Sequence, residues 1–149
     1  MVPGGGGTWP LLDETDDPKG VAQLIEWICA MDKRVRIMAS VCTGAAVLAR
    51  CGVLDGLPAA TNHNAFGWVA SHGPRVLWDS VARWVDAGKY CTSAGVSAGT
   101  DLGFYLVSRL AGRAVAEQAA NAAEYDWHRD PMEPIYYPPQ ADVPVPLTR

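Results

Sequence analysis

Arg36-Ile37-Met38-Ala39-Ser40-Val41-Cys42-Thr43-Gly44-Ala45-Ala46-Val47-Leu48-Ala49 is an apolar strand pattern that passes through small-x-Cys-x-small straight into a run of strong helix formers. A chain written this way predicts a nucleophile elbow, a sharp strand-to-helix turn that lifts one side chain off a sheet edge and aims it at the next helix. Ser40 and Gly44 supply the small neighbours that so crowded a turn needs. The unbonded N–H groups and the positive end of the helix dipole then face the Cys42 sulfur and favour its thiolate. The competing reading is a small core residue on a strand, since free cysteine often serves only to pack. Cys42 falls at the junction and not on the pleat, which favours the reactive reading.

Working outward, 35–41 predict a strand and 43–51 the elbow helix, stopped by Gly52. Upstream, Asp17-Pro18 opens a helix, with Asp17 as N-cap and Pro18 at the first helical position. Val21, Leu24, Ile25 and Ile28 follow on one face of it. Before that, Val2-Pro3-Gly4-Gly5-Gly6-Gly7-Thr8 reads as a strand end entering a glycine loop, with a flexible tail as the alternative.

Downstream, 59–61 suit a short strand, and Asn64 is placed to cap a short helix through Trp68 and Ala70. Residues 76–78 and 81–85 alternate weakly, and Asp86-Ala87-Gly88 predicts a hairpin turn before 89–93. Ala94 to Gly99 lead into a helix carrying Leu102, Tyr105, Leu106 and Leu110, broken at Gly112. An alanine-rich helix over 115–125 comes last. Strands alternating with helices predict an α/β sandwich with a mostly parallel sheet. The expected division is an α/β domain over 1–130 and a proline-rich, irregular tail over 131–149.

Composition narrows the function. The 149 residues are 49% apolar and 19% charged, which suits one globular domain with a sizeable core. A net charge of −4 with no basic stripe argues against nucleic acid as a partner. No apolar run reaches the length of a membrane span, and the N-terminus lacks the layout of a signal peptide. Cys29, Cys42, Cys51 and Cys91 form no CxxC pair, and their spacing to His63, His72 and His128 suggests no zinc site. Reduced thiols and a cytoplasmic setting are expected, with neither metal nor cofactor.

Three ordered motifs carry a resemblance. Ser40-Val41-Cys42-Thr43-Gly44-Ala45 with Leu48-Ala49 and Gly52-Val53-Leu54-Asp55-Gly56 resembles the cysteine elbow of the ThiJ/PfpI superfamily. Val2-Pro3-Gly4-Gly5-x-Gly7 is similar to that family's glycine loop, and Thr92 to Asp101 to its downstream strand-to-helix block. The similarity spans about residues 2–128, and the Val-Cys-Thr-Gly form is most similar to the isonitrile hydratase branch. Ala82-Arg83-Trp84-Val85 and Glu124-Tyr125-Asp126-Trp127-His128 look like a less characterised branch.

The resemblance implies a class I glutamine amidotransferase-like, flavodoxin-type three-layer sandwich, here N-terminally shortened. Relatives normally begin with two further βα units, whose acidic partner for the cysteine has no counterpart in these residues. The resemblance also implies Cys42 as nucleophile, with the N–H groups of Gly5 and Thr43 as an oxyanion hole. The Thr43 hydroxyl would orient water or substrate, with helix capping as the alternative. Many relatives carry a histidine in an Ala-Thr-Thr-His pattern. Here Asn62 holds that slot and His63 follows one residue late, so His63 is a candidate base or a structural histidine. Cys51 is expected to be core, Asp101 to support its helix start, and Trp68, Trp78 and Trp84 to line a pocket or pack.

Three functions compete. One is a cysteine-dependent hydratase or hydrolase of a small molecule, isonitrile hydratase-like. The second is glyoxalase- or deglycase-like chemistry on reactive carbonyls. The third is a non-catalytic ligand-binding or redox-sensing domain. A strand over 35–41 lacking its usual first-strand neighbour predicts an exposed apolar edge and a homodimer or larger species, unless 2–9 or the tail folds over it.

Overall fold

The computed structural model describes residues 1–13 and 15–135. Its elements are α1 (Thr8–Asp13), α2 (Pro18–Asp32), β1 (Met38–Val41), α3 (Gly44–Arg50), β2 (Pro58–Ala60), α4 (Phe66–Ser71), β3 (Leu77–Asp79), β4 (Trp84–Ala87), β5 (Tyr90–Ser93), α5 (Val96–Ala111) and α6 (Arg113–Ala122). The main sheet has the order β1-β5-β4, and β2 pairs with β3 in a second, two-stranded sheet. β1–β5 and β2–β3 are parallel, whereas β4 and β5 form an antiparallel hairpin. The Ala60 N–H donates to the buried Thr92 Oγ1 at 2.8 Å, so a side chain of β5 joins the second sheet to the first.

Alternation along β1 sorts the core into two faces. Met38 points to a cluster built from α1, α2, α3 and α4, centred on Leu48, Leu54 and Val69. Ala39 points the other way, to Trp84, Cys91 and Leu102, with Tyr105 and Leu106 of α5 packed on them. Outside α5 lies α6, through Ala116, Ala120 and Trp127. Helices therefore cover the strands on both sides, and the molecule is an α/β three-layer sandwich.

Several local readings hold, and others shift for identifiable reasons. Asp17 caps α2, its Oδ1 accepting from Gly20 N–H at 2.9 Å, with Pro18 in the first turn. Gly88, at φ +80°, closes the hairpin, and the Asp86 carboxylate accepts its N–H. The strand begins at Met38 and not Val35, because Arg34 and Val35 N–H both return to the Met31 carbonyl and prolong the end of α2. Residues 81–83 are not strand, since Asp79 Oδ1 accepts from the N–H groups of Val81 and Ala82 and bends the chain there. Asn62 rather than Asn64 makes the side-chain bond at the entry to α4, to Ala65 N–H at 3.0 Å. The fourteen residues 136–149, which include most of the expected tail, lie outside the described residues. Pro131, at the tail's start, accepts a hydrogen bond from Arg83 N–H at 2.8 Å.

Asp101 does not support its helix start, as it stands in the second turn of α5 and bonds elsewhere. Its carboxylate is fully buried and accepts from Arg83, with Nη2 at 2.6 Å and Nε at 3.2 Å, both onto Oδ2. Oδ1 takes the Tyr125 hydroxyl and the His128 backbone N–H, each at 3.1 Å. The segments 82–85 and 124–128, far apart in sequence, therefore meet on one carboxylate.

Candidate functional site at the β1–α3 elbow

Cys42 lies between the end of β1 and the start of α3 with φ +58°, a left-handed conformation that a non-glycine residue adopts only at some cost. Three bonds over-determine it. Its N–H reaches the carbonyls of Ser93 at 3.2 Å and Ala94 at 2.8 Å, and its own carbonyl accepts from the buried Thr61 hydroxyl at 3.0 Å. The ends of β1 and β5 and the loop after β2 thus hold one half-buried cysteine in a strained turn.

The glycine loop crosses this turn closely. Val2 makes a parallel bridge to β1, its N–H donating to Ala39 and its carbonyl accepting from Val41. A Cβ on Gly44 would stand 2.7 Å from the Pro3 carbonyl oxygen, and one on Gly4 would stand 2.6 Å from Thr43 N. Neither position has room for a side chain. The strand-end reading of Val2 is therefore the one realised, and it brings the loop over the cysteine.

Thr43 ties that loop down. Its hydroxyl accepts from Gly5 N–H at 3.0 Å and from the Thr8 hydroxyl at 2.8 Å. It makes no capping bond to α3. The Gly5 N–H is thus engaged by Thr43, while the Thr43 N–H makes no hydrogen bond within the described residues.

Two cavities flank the sulfur and share Cys42 and Gly5. One, of about 450 Å³, is lined by Met1, Pro3, Gly4, Val41 and Val96. The other, of about 310 Å³, has Thr43, Asn62, Ala65, Trp9 and Trp68 among its walls. No Asp, Glu, His, Lys or Arg among the described residues lines either one. His63 is not brought to the sulfur, and its Nε2 lies 3.3 Å from the Ala82 carbonyl. Asn62 is the residue that reaches the site. Its Oδ1 is held by Ala65 N–H, which leaves the amide nitrogen on the side of Gly95.

Of the three tryptophans singled out from sequence, Trp68 lines the cavity, Trp84 is core at 2% exposure, and Trp78 packs with its Nε1 on the Gly73 carbonyl. Trp9 was missed, and no periodic signal marks it. Cys51 stands at the far end of α3, about 10 Å along the helix axis from its start. Burial and the neighbouring Cys29 push its thiol up to about 12, so it is an unsuitable resolving partner for Cys42. Among the described residues no His/Cys/Asp/Glu group is placed to hold a metal ion, and no helix is long and apolar enough to cross a membrane.

No family model matches the chain. By sequence, 124 residues, 83% of the chain, are 31% identical to an isonitrile hydratase of Pseudomonas putida, and the chain spans about half (50%) of that curated relative's length. A solved ThiJ/PfpI family protein from Pseudomonas syringae superposes with a TM-score of 0.63 at 30% identity, over 70% of this chain and 42% of that one. DJ-1beta of Drosophila melanogaster gives a TM-score of 0.64 at 18% identity, over 83% of this chain and 62% of that one, a likeness of fold alone. The three-layer fold is that of the ThiJ/PfpI superfamily. Within it, the chain is a homologue of isonitrile hydratase, shorter than that relative.

Proposed function

We propose that the chain carries out cysteine-dependent hydration of a small neutral molecule of the isonitrile type, with Cys42 as nucleophile. The observation that carries this reading is the φ of +58° at Cys42, held by three hydrogen bonds between two cavities. Strain of about 1–3 kcal/mol persists where the surrounding structure gains a positioned group from it. In the reaction, the Cys42 sulfur forms a bond to the isonitrile carbon, and the thiol proton ends on that carbon as a thioimidate. Water then adds across the C=N bond, placing hydroxyl on carbon and hydrogen on nitrogen. Collapse breaks the C–S bond, and the hydroxyl proton returns to sulfur, leaving the N-substituted formamide and free thiol.

The chain's polar groups suit a neutral substrate. Among the described residues, the Thr43 N–H, which has no partner there, and the Asn62 amide nitrogen are donors available to charge developing near the sulfur. Gly5 N–H is engaged by Thr43 Oγ1, so the Thr43 hydroxyl serves here to hold the glycine loop over the sulfur. In this reading His63 is a structural residue, not a base. The four free thiols support a reducing, cytoplasmic setting. Formation of the formamide from an alkyl isonitrile tests the proposal: Cys42→Ser should abolish it and Cys51→Ser should leave it largely intact. Full turnover by the Cys42 variant rules out covalent catalysis.

A further inference from the structure

The smaller cavity beside Cys42 has an aromatic side that the chemistry at sulfur does not use. Trp9 and Trp68 stack with ring centroids 5.0 Å apart and 23° between planes, and both line the cavity that Cys42 and Thr43 line. The pair is fixed from behind. Trp68 Nε1 donates to Asp13 Oδ2 at 2.6 Å, and the His72 ring meets Trp68 edge-on at 4.8 Å. At the front, Thr8 opens α1 and bonds Thr43 Oγ1, so the helix carrying Trp9 is pinned to the elbow itself. The hydroxyls of Thr8 and Thr43 are spent on each other and on Gly5, which leaves Asn62 as the polar side chain with donors to spare.

From this geometry we infer that Trp9 and Trp68 form the specificity wall of the Cys42 site, selecting electrophiles that carry a flat aromatic or bulky apolar substituent over those that carry none. The inference rests on the proposed reactivity of Cys42. The reacting carbon sits at the sulfur, and the substituent lies along the indole faces. An unreactive, unsubstituted ligand gains nothing from that wall. Trp9 and Trp68 are here positioning groups for the substituent, with no part in bond making.

Competitive alkylation tests this without needing turnover. Iodoacetamide and N-benzyl iodoacetamide share one reacting carbon: sulfur displaces iodide, the S–C bond forms as C–I breaks, and the thiol proton goes to solvent. Rates at Cys42 are read by peptide mass spectrometry and divided by those of glutathione, which removes intrinsic reactivity. The wild-type chain should favour the benzyl reagent by about tenfold, the size of one good aromatic contact. Trp9→Ala and Trp68→Leu should each bring that ratio, in which each variant's own iodoacetamide rate is the reference, close to the glutathione value. Trp9→Phe should restore most of the preference, which a variant that merely loosens the fold does not do. A ratio unchanged in both wall variants overturns the wall and leaves the nucleophile standing. No alkylation of Cys42 by either reagent overturns the nucleophile, and the wall with it.

Discussion

At the scale of single residues, the site depends on what is absent as much as on the cysteine. Gly44 has no room for a methyl group beneath the Pro3 carbonyl. Gly44→Ala should therefore cost about 1–3 kcal/mol by overpacking, read as a shifted urea midpoint with an unchanged slope. An unshifted midpoint would mean that the loop does not cross the elbow. The four thiols should also separate by chemistry. Burial pushes Cys51 up to about 12, and burial with the nearby Asp86 pushes Cys91 up to about 11. At pH 8 iodoacetamide should modify Cys42 well before either, and equal labelling of Cys51 would contradict its burial against Cys29. Much of this was legible beforehand, because small-x-Cys-x-small between an apolar run and helix formers has few other folded meanings. The engagement of Gly5 by Thr43 was not, since a hydroxyl bond across 38 positions leaves no trace in local pattern.

Among the elements, α1 and α4 form a small unit whose strength should depend on pH. Burial lowers the pKa of His72 below its usual value; Arg50 acts in the same direction, and Asp13, 3.5 Å from Nε2, pulls against both without prevailing. The side chain is only 6% exposed, so the neutral ring is the folded form at neutral pH. Because the unfolded chain takes up the proton first, this stability is intact above about pH 6.5 and falls as the medium is acidified below it. The melting temperature should drop between neutral pH and about pH 5.5, and His72→Gln should flatten that part of the curve. An identical slope in the variant would place the acid sensitivity elsewhere. Sequence patterning found α2, with its Asp-Pro start and apolar stripe, and the β4–β5 hairpin, with its Asp-Ala-Gly turn. It missed α1, six residues too short to show a period and entered from four glycines, and so it missed Trp9 and the second indole of the cavity.

For the molecule as a whole, the outer position of β1 in its sheet and the buried charge at Asp101 lead to opposite behaviours. Val2 pairs with β1 at one position, and beyond it lies a cavity of about 200 Å³ lined by Met31, Ile37 and Met38, with Met1 and Trp27 mostly exposed at its rim. The bridge covers part of the edge that a neighbouring strand would take. We expect reversible self-association through this patch, seen as a sedimentation coefficient that rises with concentration and is lowered by Trp27→Lys. A monodisperse monomer at high micromolar concentration would rule it out. Removing the Asp101 charge, by contrast, leaves the 4%-exposed Arg83 guanidinium unpaired, and Asp101→Ala should cost about 3–5 kcal/mol in chemical denaturation. The same carboxylate also sets a timetable. Arg83 and Asp101 leave the ribosome before Tyr125 and His128, so during synthesis Oδ1 must wait for α6 and the turn after it. A nascent chain halted at Ala123 holds every residue of the elbow yet lacks two of the donors that settle this charge. Its Cys42 should stay open to proteolysis and alkylation until some five further residues emerge, making the 124–128 segment a latch on the fold rather than an appendage to it.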